Sequence, residues 1–407
     1  MSTSILRKKT IVLGVSGGIA AYKAAELLRL LQKRGADVRV MMTRNAERFI
    51  GATTFEALSG HPVCTSLFEG GSEASITHID WADKADAVVI APATANIIGK
   101  LANGIADDAL STFLMAVTRP IIVCPAMNTH MFESRPTQRN LDLLRSDGHF
   151  IVEPGVGEMA CGTTGQGRLP EPEEILDRIC AILSPKDLTG KNVLVSAGPT
   201  QEAIDPVRFI SNPSTGKMGY AIARAAEHRG ATVTLVAGPT VLPDPVNIKV
   251  LHVKSASEMA AAVFAHMETA DIIIKSAAVS DYRPDSPAGH KIKKDQDHMT
   301  LSLVKNEDIL FTLGRNKENR VLVGFAAETR DLETYAAGKL EKKNLDLIVG
   351  NIVGQPRAGF ASDTNRVVFF HRDGSREMLP EMSKDDVADM LLDRIRDRIL
   401  IPKTAGA

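Results

Sequence analysis

The chain predicts an α/β protein of two Rossmann-like domains, each an open parallel sheet, because the same opening occurs twice. From Lys9 an apolar strand run reaches Gly14, a glycine turn follows, and a helix-like stretch leads to a second apolar run at Val38. From Lys191 the order repeats, and Arg34-Gly35-Ala36 in the first copy is echoed by Arg229-Gly230-Ala231 in the second. Strand, tight turn, helix and parallel strand open such sheets, and their ligands lie off the carboxyl edge. Length agrees, since 407 residues exceed what one core usually holds.

Composition narrows the class. Hydrophobic residues make up 44% and aromatics only 4%, so the core is expected to be aliphatic, as parallel sheets are. A net charge of −1 gives no basic footprint for nucleic acid. Cys64, Cys124, Cys161 and Cys180 show no Cys-x-x-Cys spacing, which argues against a disulfide framework or a structural zinc site. The sequence shows no signal-peptide core and no apolar run of 18 residues, so a cytoplasmic protein without membrane contact is expected.

In the first half, strands are expected over 10–15 and 38–43 around a helix over 18–33, with Ile19, Ala20, Leu27, Leu28, Leu30 and Leu31 on its apolar face. Further buried strands run from Ala85 to Pro92, from Pro120 to Met127 and from Phe150 to Pro154. Residues 155–168 hold five glycines and read as a mobile flap without regular structure. A helix over 171–183 closes a first domain of residues 1–183, and 184–190 is a polar linker. The second domain, 191–407, has strands near 193–197, 232–237, 271–275, 321–326 and 346–350. A hairpin over 367–371 and 376–379 follows, then a helix capped by Ser383. Thr200–Pro213 reads as a long polar loop.

Chemistry concentrates at the strand ends. The turn Gly14-Val15-Ser16-Gly17-Gly18 suits a phosphate at a helix N-terminus or serves packing alone. The next strand ends Met42-Thr43-Arg44 with no acidic ribose reader, which favours a mononucleotide over NAD. His78 is a lone histidine, and spacing leaves structural and catalytic roles open. Thr94 and Asn96 follow one strand end and Asn128 another, as turn formers or ligand contacts. Cys161, a thiol among glycines, suits a flap that closes over substrate and donates a proton.

In the second half, residues 209–219 resemble a phosphate cradle but lack the P-loop pattern, since Met218 follows Lys217. His290-Lys291-Ile292-Lys293-Lys294 is either a solvated face or a phosphate clamp. Asp281 is a candidate for a ribose hydroxyl or Mg²⁺, and Lys339 and Lys343 share one helix face.

Taken in order, these motifs resemble the bifunctional family of coenzyme A biosynthesis in which phosphopantothenoylcysteine decarboxylase is joined to phosphopantothenate–cysteine ligase. The resemblance covers nearly the whole chain. It is carried by residues 17–23, Thr-His-Ile-Asp at 77–80, 92–96, 125–132 and 160–168, then by 210–219, 280–283 and Lys-Ile-Lys-Lys at 291–294. Phe132 and Thr215 depart from the family's usual Trp and Ser.

The resemblance implies a flavodoxin-like FMN domain ahead of a ligase domain. FMN would be held by Gly17, Gly18, Thr43, Thr94 and Asn96. His78 would act as base or orienting residue, Asn128 would bind the substrate carboxylate, and Cys161 would be the flap acid. The implied reaction oxidises the cysteine thiol of 4'-phosphopantothenoylcysteine to a thioaldehyde, loses CO2 and returns hydride to give 4'-phosphopantetheine. In the ligase half, 4'-phosphopantothenate would be activated with CTP and Mg²⁺ as an acyl-cytidylate, which the amine of L-cysteine then attacks. Asn212 would hold that intermediate and Lys291 would serve the second step. CTP contacts are implied at Lys275, Ser276, Ala277, Asp281, Lys291, Asn306, Glu307, Asp308, Ile309, Phe325, Lys339 and Lys343, with Asp281 also a metal candidate. A homo-oligomer is implied, a dodecamer of decarboxylase trimers and ligase dimers. Competing readings are an NAD(P)-dependent oxidoreductase, a non-catalytic flavoprotein and a flavin prenyltransferase.

Overall fold

The computed structural model describes residues 5–67, 74–158, 162, 164–293, 298–328, 332–352 and 362–400. Two compact units divide at Ser184/Pro185.

The first unit runs β1 (Thr10–Val15), α1 (Ala21–Lys33), β2 (Asp37–Met42), α2 (Ala52–Ser59), α3 (Ala74–Lys84), β3 (Ala87–Ala93), α4 (Ala95–Ala102) and α5 (Ala109–Ala116). It continues with β4 (Ile121–Pro125), α6 (Thr129–Phe132), α7 (Arg135–Ser146), β5 (Phe150–Ile151), β6 (Gly155–Glu158), β7 (Thr164–Arg168) and α8 (Pro172–Leu183). Five strands pair in parallel in the order β2-β1-β3-β4-β5. Strand alternation decides what each face covers. Ile11, Leu13 and Val15 pack with Leu27, Leu28 and Leu31 of α1 and Ile175 and Ile179 of α8. Val12 points the other way, into a core with Val88, Ile90, Val123, Phe113 and Leu141. Both faces are covered, so the strands are continuous apolar runs. Each fully buried Leu or Ile contributes about 1.5–3 kcal/mol.

The second unit runs β8 (Asn192–Ala197), β9 (Gln201–Ala203), β10 (Phe209–Ser211), α9 (Lys217–His228), β11 (Thr232–Ala237), β12 (Lys249–His252), α10 (Ala256–Met267) and β13 (Ile272–Lys275). There follow β14 (Tyr282–Pro284), β15 (Leu303–Lys305), α11 (Ile309–Arg315), β16 (Val321–Glu328), α12 (Leu332–Lys342) and β17 (Leu347–Ile352). The last elements are β18 (Thr364–Asn365), β19 (Val367–His371), β20 (Arg376–Met378), β21 (Met382–Ser383) and α13 (Lys384–Ile395). The main sheet has the order β12-β11-β8-β13-β16-β17-β19-β20, parallel as far as β17 and antiparallel beyond. α9 and α13 cover one face with Tyr220, Ile222, Leu391 and Leu392, and α10 and α11 cover the other with Met259, Val263 and Leu313. The expected hairpin is β19–β20, and Ser383 caps α13 by accepting from the Asp386 amide.

Three expectations change. The glycine-rich 155–168 is not shapeless, because β6 and β7 form an antiparallel ribbon. A Cβ at Gly167 would lie 2.3 Å from the Met127 carbonyl oxygen, and one at Gly165 would lie 2.6 Å from Thr129 Oγ1. The glycines are there because the ribbon's backbone lies flat on the turn after β4. The polar loop 200–213 contains the hairpin β9–β10, folded around two buried carboxylates. Glu202 accepts from the Ala256 amide, and Asp205 accepts from the amides of Val207, Arg208 and Ile292. Helix α1 starts at Ala21, after the glycine turn rather than within it.

Close backbone contact fixes the edge of the second sheet. A Cβ on Gly238 would sit 1.8 Å from the Pro199 carbonyl oxygen. Gly238→Ala is therefore expected to cost the second unit about 3 kcal/mol. Circular dichroism in urea should show an early transition, while fluorescence of Trp81, the chain's one tryptophan and a residue of the first unit, keeps its midpoint.

Candidate functional site

The carboxyl edge of the first sheet is knitted by one hydroxyl. Ser16 Oγ donates to the Pro92 carbonyl at 2.7 Å, accepts from the Thr94 amide at 2.9 Å and lies 3.2 Å from Thr94 Oγ1. This joins the turn after β1 to the turn after β3. Gly17 leaves no room for a side chain, because a Cβ would come 2.5 Å from Asn45 Cβ and 2.7 Å from its carbonyl carbon. Thr43 donates its amide to Val15, and its Oγ1 is buried with no hydrogen-bond partner. A buried hydroxyl left orphaned is costly, and a ligand there would satisfy it. The first turn of α1 has no side-chain cap, and its Ala21 and Lys23 amides donate to the carbonyls of Gly18 and Ala20. Gly17, Gly18, Thr43 and Thr94 thus converge at one edge, and Asn96 stands exposed in the first turn of α4. Ser16 was missed as a site residue, although it sits inside the motif.

The second Pro-Ala turn joins the first through the Ala126 amide, which donates to the Ala93 carbonyl. Asn128 caps α6, its side-chain oxygen accepting from the His130 amide at 2.9 Å. The Met127 amide donates to Gly167 of β7, so the ribbon is tied beside Asn128. His78 lies on α3 at backbone level, and its side chain lies outside the described residues. Cys161, between β6 and β7 in the chain, also lies outside them. Lys23 is no ligand group here, because its buried Nζ reaches both Glu171 oxygens at 2.8 Å, which tethers α1 to the start of α8.

The second unit has a cleft of about 350 Å³ over its sheet. One wall is the loop after β13, with Lys275, Ser276, Ala277 and Asp281. The floor includes Phe325 of β16, and the rim is the turn from Asn212 to Gly219 that opens α9. Asn212 is aimed by its amide, which donates to the carbonyls of Ala278 at 3.3 Å and Val279 at 3.2 Å. Lys275 Nζ donates to the Ala277 carbonyl at 3.0 Å, and burial, then the charge of Lys343, push its ammonium down to about 8. Lys339 also lines the cleft.

Other predicted residues stand behind this wall. Asn306 donates to the Ser280 carbonyl and its oxygen accepts from Arg283, so it braces the Asp281 loop. Asp308 caps α11 and pairs with Lys343 at 2.8 Å; Glu307 accepts from Thr312; Ile309 is core. Lys291 is exposed on a strap whose Ile292 is bonded to Asp205 and Arg208 of the β9–β10 hairpin, and it does not line the cleft. The far wall holds three residues that no motif singled out: Asn351, Asn365 and Lys384. They come from three separate elements, so spacing carried no signal for them.

No described helix is long and apolar enough to cross a membrane. The model of a family described as Flavoprotein matches residues 2–184, and that of a family described as DNA/pantothenate metabolism flavoprotein C-terminal domain matches 188–399. The coenzyme A biosynthesis bifunctional protein CoaBC of Bacillus subtilis is 49% identical over 395 residues, covering 96% of this chain and 97% of its own length. The protein of that name from Escherichia coli is 48% identical over 398 residues, covering 97% and 98%. Among solved structures, the C-terminal domain of a CoaBC protein is 43% identical and covers 52% of this chain and 96% of its own, at a TM-score of 0.45.

The Lys23 tether has a sign that can be tested. Lys23 holds the Glu171 carboxyl below the usual glutamate range. Its contribution is present above that range and is lost as pH falls through the lowered value. Acidification below about pH 4.3 should therefore lower the thermal midpoint of the first unit more in wild type than in Lys23→Met. Equal acid sensitivity of the two, followed by Trp81 fluorescence, would remove the tether from the account.

Proposed function

Because the chain belongs to the family of bifunctional coenzyme A biosynthesis proteins CoaBC, a ligase and decarboxylase family, we propose a division of labour between its two halves. Residues up to Ser184 carry the decarboxylase and those from Pro185 the ligase, since Leu188 is core and Asp187 pairs with Arg229 in the second unit. The observation that carries the first assignment is the orphaned Thr43 hydroxyl beside the Gly17 turn.

In the first half, Ser16, Gly17, Gly18, Thr43, Thr94 and Asn96 hold FMN, with its phosphate toward the glycine turn that precedes α1. When bound, the flavin supplies the two-electron redox chemistry that gives the departing carboxylate an electron sink. Asn128 binds the substrate carboxylate, His78 orients the substrate or accepts its proton, and Cys161 is the flap acid that delivers a proton.

In the second half, the carboxylate of 4'-phosphopantothenate attacks the α-phosphorus of CTP, pyrophosphate leaves, and an acyl-cytidylate remains. The amine of L-cysteine then attacks the acyl carbon and CMP leaves. Asn212 holds the acyl-cytidylate, Lys275 and Lys339 face the phosphates from the cleft wall, and Lys343 reaches them by leaving Asp308. Asp281 meets the ribose or the Mg²⁺ that accompanies the triphosphate. Lys291 acts from the strap in the second step, and a partner copy is the natural source of that strap. The exposed apolar residues Val207, Phe209, Tyr282 and Leu303 on the β9–β10 and β14–β15 hairpins support pairing between copies. Ligase dimers joined through decarboxylase trimers, in the cytoplasm, complete the reading.

Mass spectrometry of products from 4'-phosphopantothenate, cysteine, Mg²⁺ and either CTP or ATP tests both halves. Wild type is expected to yield 4'-phosphopantetheine with CTP alone, and Cys161→Ser to stall before the final reduced product. Formation of the acylcysteine with ATP alone would sink the cytidine reading.

A second expectation follows from Lys275. With its ammonium titrating near 8 in the free cleft, a bound triphosphate holds the proton more tightly. CTP affinity should fall roughly tenfold for each pH unit above about 8, and Lys275→Met should flatten that slope. Calorimetric titrations between neutral and alkaline pH read it directly, and an unchanged slope in the variant would assign the proton elsewhere.

A further inference from the structure

The far wall of the ligase cleft carries polar atoms that the proposed nucleotide contacts leave unused. Asn351 on β17 is 9% exposed and Asn365 on β18 is 3% exposed, and both line the cleft. The Oδ1 of each is buried without a hydrogen-bond partner. The other polar atom of Asn365 has only a soft acceptor, since its Nδ2 donates to Met218 Sδ at 3.9 Å. Buried acceptors without partners are rare, and a wall that served packing alone would be apolar.

Two cations and a helix end stand at the same wall. Lys384, the first residue of α13, is 6% exposed and lines the cleft. Lys217, the first residue of α9, lines it too, with Asp363 Oδ1 2.6 Å away. Helix α9 begins after Gly216 at φ +76° with no side-chain cap, and Gly216, Lys217, Met218 and Gly219 all border the cavity. Burial and Lys217 hold the Lys384 ammonium below the usual lysine range, while Asp363 acts the other way. An anion at this wall would stabilise both lysines and meet the first-turn amides. An amide presents oxygen or NH2 by a half-turn of its last torsion, so both asparagines can donate to such an anion.

We propose that Asn365 and Lys384 form a phosphate subsite at the far wall of the ligase cleft, with Asn351 beside them and the first turn of α9 at its border. It takes a phosphate monoester or the terminal phosphoryl group of a triphosphate. The proposal rests on the reading of this cleft as the ligase site. Both phosphate-bearing ligase substrates, 4'-phosphopantothenate and the nucleotide, offer that chemistry, and the test separates them.

The experiment compares full-length Asn365→Asp, Asn365→Ser, Lys384→Met and Lys384→Arg with wild type, using the nucleotide that wild type accepts. KM is measured for 4'-phosphopantothenate and for the nucleotide, with unphosphorylated pantothenate as alternative substrate and inorganic pyrophosphate as inhibitor. Asn365→Asp and Lys384→Met are expected to raise one KM by about tenfold or more, and Lys384→Arg to stay within about threefold. If the substrate phosphate sits there, turnover of pantothenate is unchanged by the variants. If the nucleotide phosphate sits there, the inhibition constant of pyrophosphate rises in step. Thermal midpoints and decarboxylation of supplied 4'-phosphopantothenoylcysteine verify intact protein, and Asn365→Ser substitutes should the aspartate variant not fold. Both KM values and the pyrophosphate constant staying within about twofold in folded Asn365 and Lys384→Met variants would overturn the subsite, as would a fall in kcat with both KM values unchanged. A wild type that uses ATP would refute the cytidine reading and leave this test intact.

Discussion

Both halves depend on close backbone approach at the carboxyl edge of a parallel sheet. Each crossover must leave its strand, turn and enter a helix within a few residues, so main chain meets main chain where no Cβ fits. Gly17 lies against Asn45, Gly219 against Ala197, and Gly238 against the Pro199 carbonyl. The same crowding keeps side chains away from the carboxyl edges, where open α/β sheets take their ligands. The β6–β7 ribbon uses the constraint a second time, laying Gly165 and Gly167 flat on the Met127–Thr129 turn.

From that shared edge the two halves diverge in chemistry. The first lines its turn with hydroxyls: Ser16 links two strand ends, and Thr43 holds an unspent donor. Neutral groups and amides suit a ligand that is to be held through many turnovers. The second lines its cleft with lysines, Lys275, Lys339, Lys217 and Lys384, which makes the cavity wall cationic.

What the sequence made legible follows from which signals are local. Buried strands such as Ala87–Ala93 are continuous apolar runs because both sheet faces are covered, so period and length located them. The Gly17 turn and the turn at Asn128 were legible because each directly follows a buried strand, whereas the cap Asn128 places on α6 was not. The ribbon was misread because glycine signals freedom locally, while here it reports contact with a turn distant in the chain. Lys23, inside the most recognisable motif, is spent on Glu171, a partner on a distant helix. Asn351, Asn365 and Lys384 meet only because β17, β18 and α13 converge, and no spacing rule encodes that convergence.

The lysines in and behind the cleft of the second unit are also stored in a particular way. Lys217 rests on the exposed carboxylate of Asp363 at the cleft, and Lys343, behind the cleft wall and mostly buried, on the half-exposed Asp308. An exposed ion pair such as Lys217–Asp363 is worth about 0–1 kcal/mol, so that lysine can exchange its partner at little cost. While the cleft is free, these carboxylates limit the repulsion that packing several ammonium groups together would create. That repulsion still registers at Lys275, where Lys343 adds to the effect of burial while Asp308 opposes it.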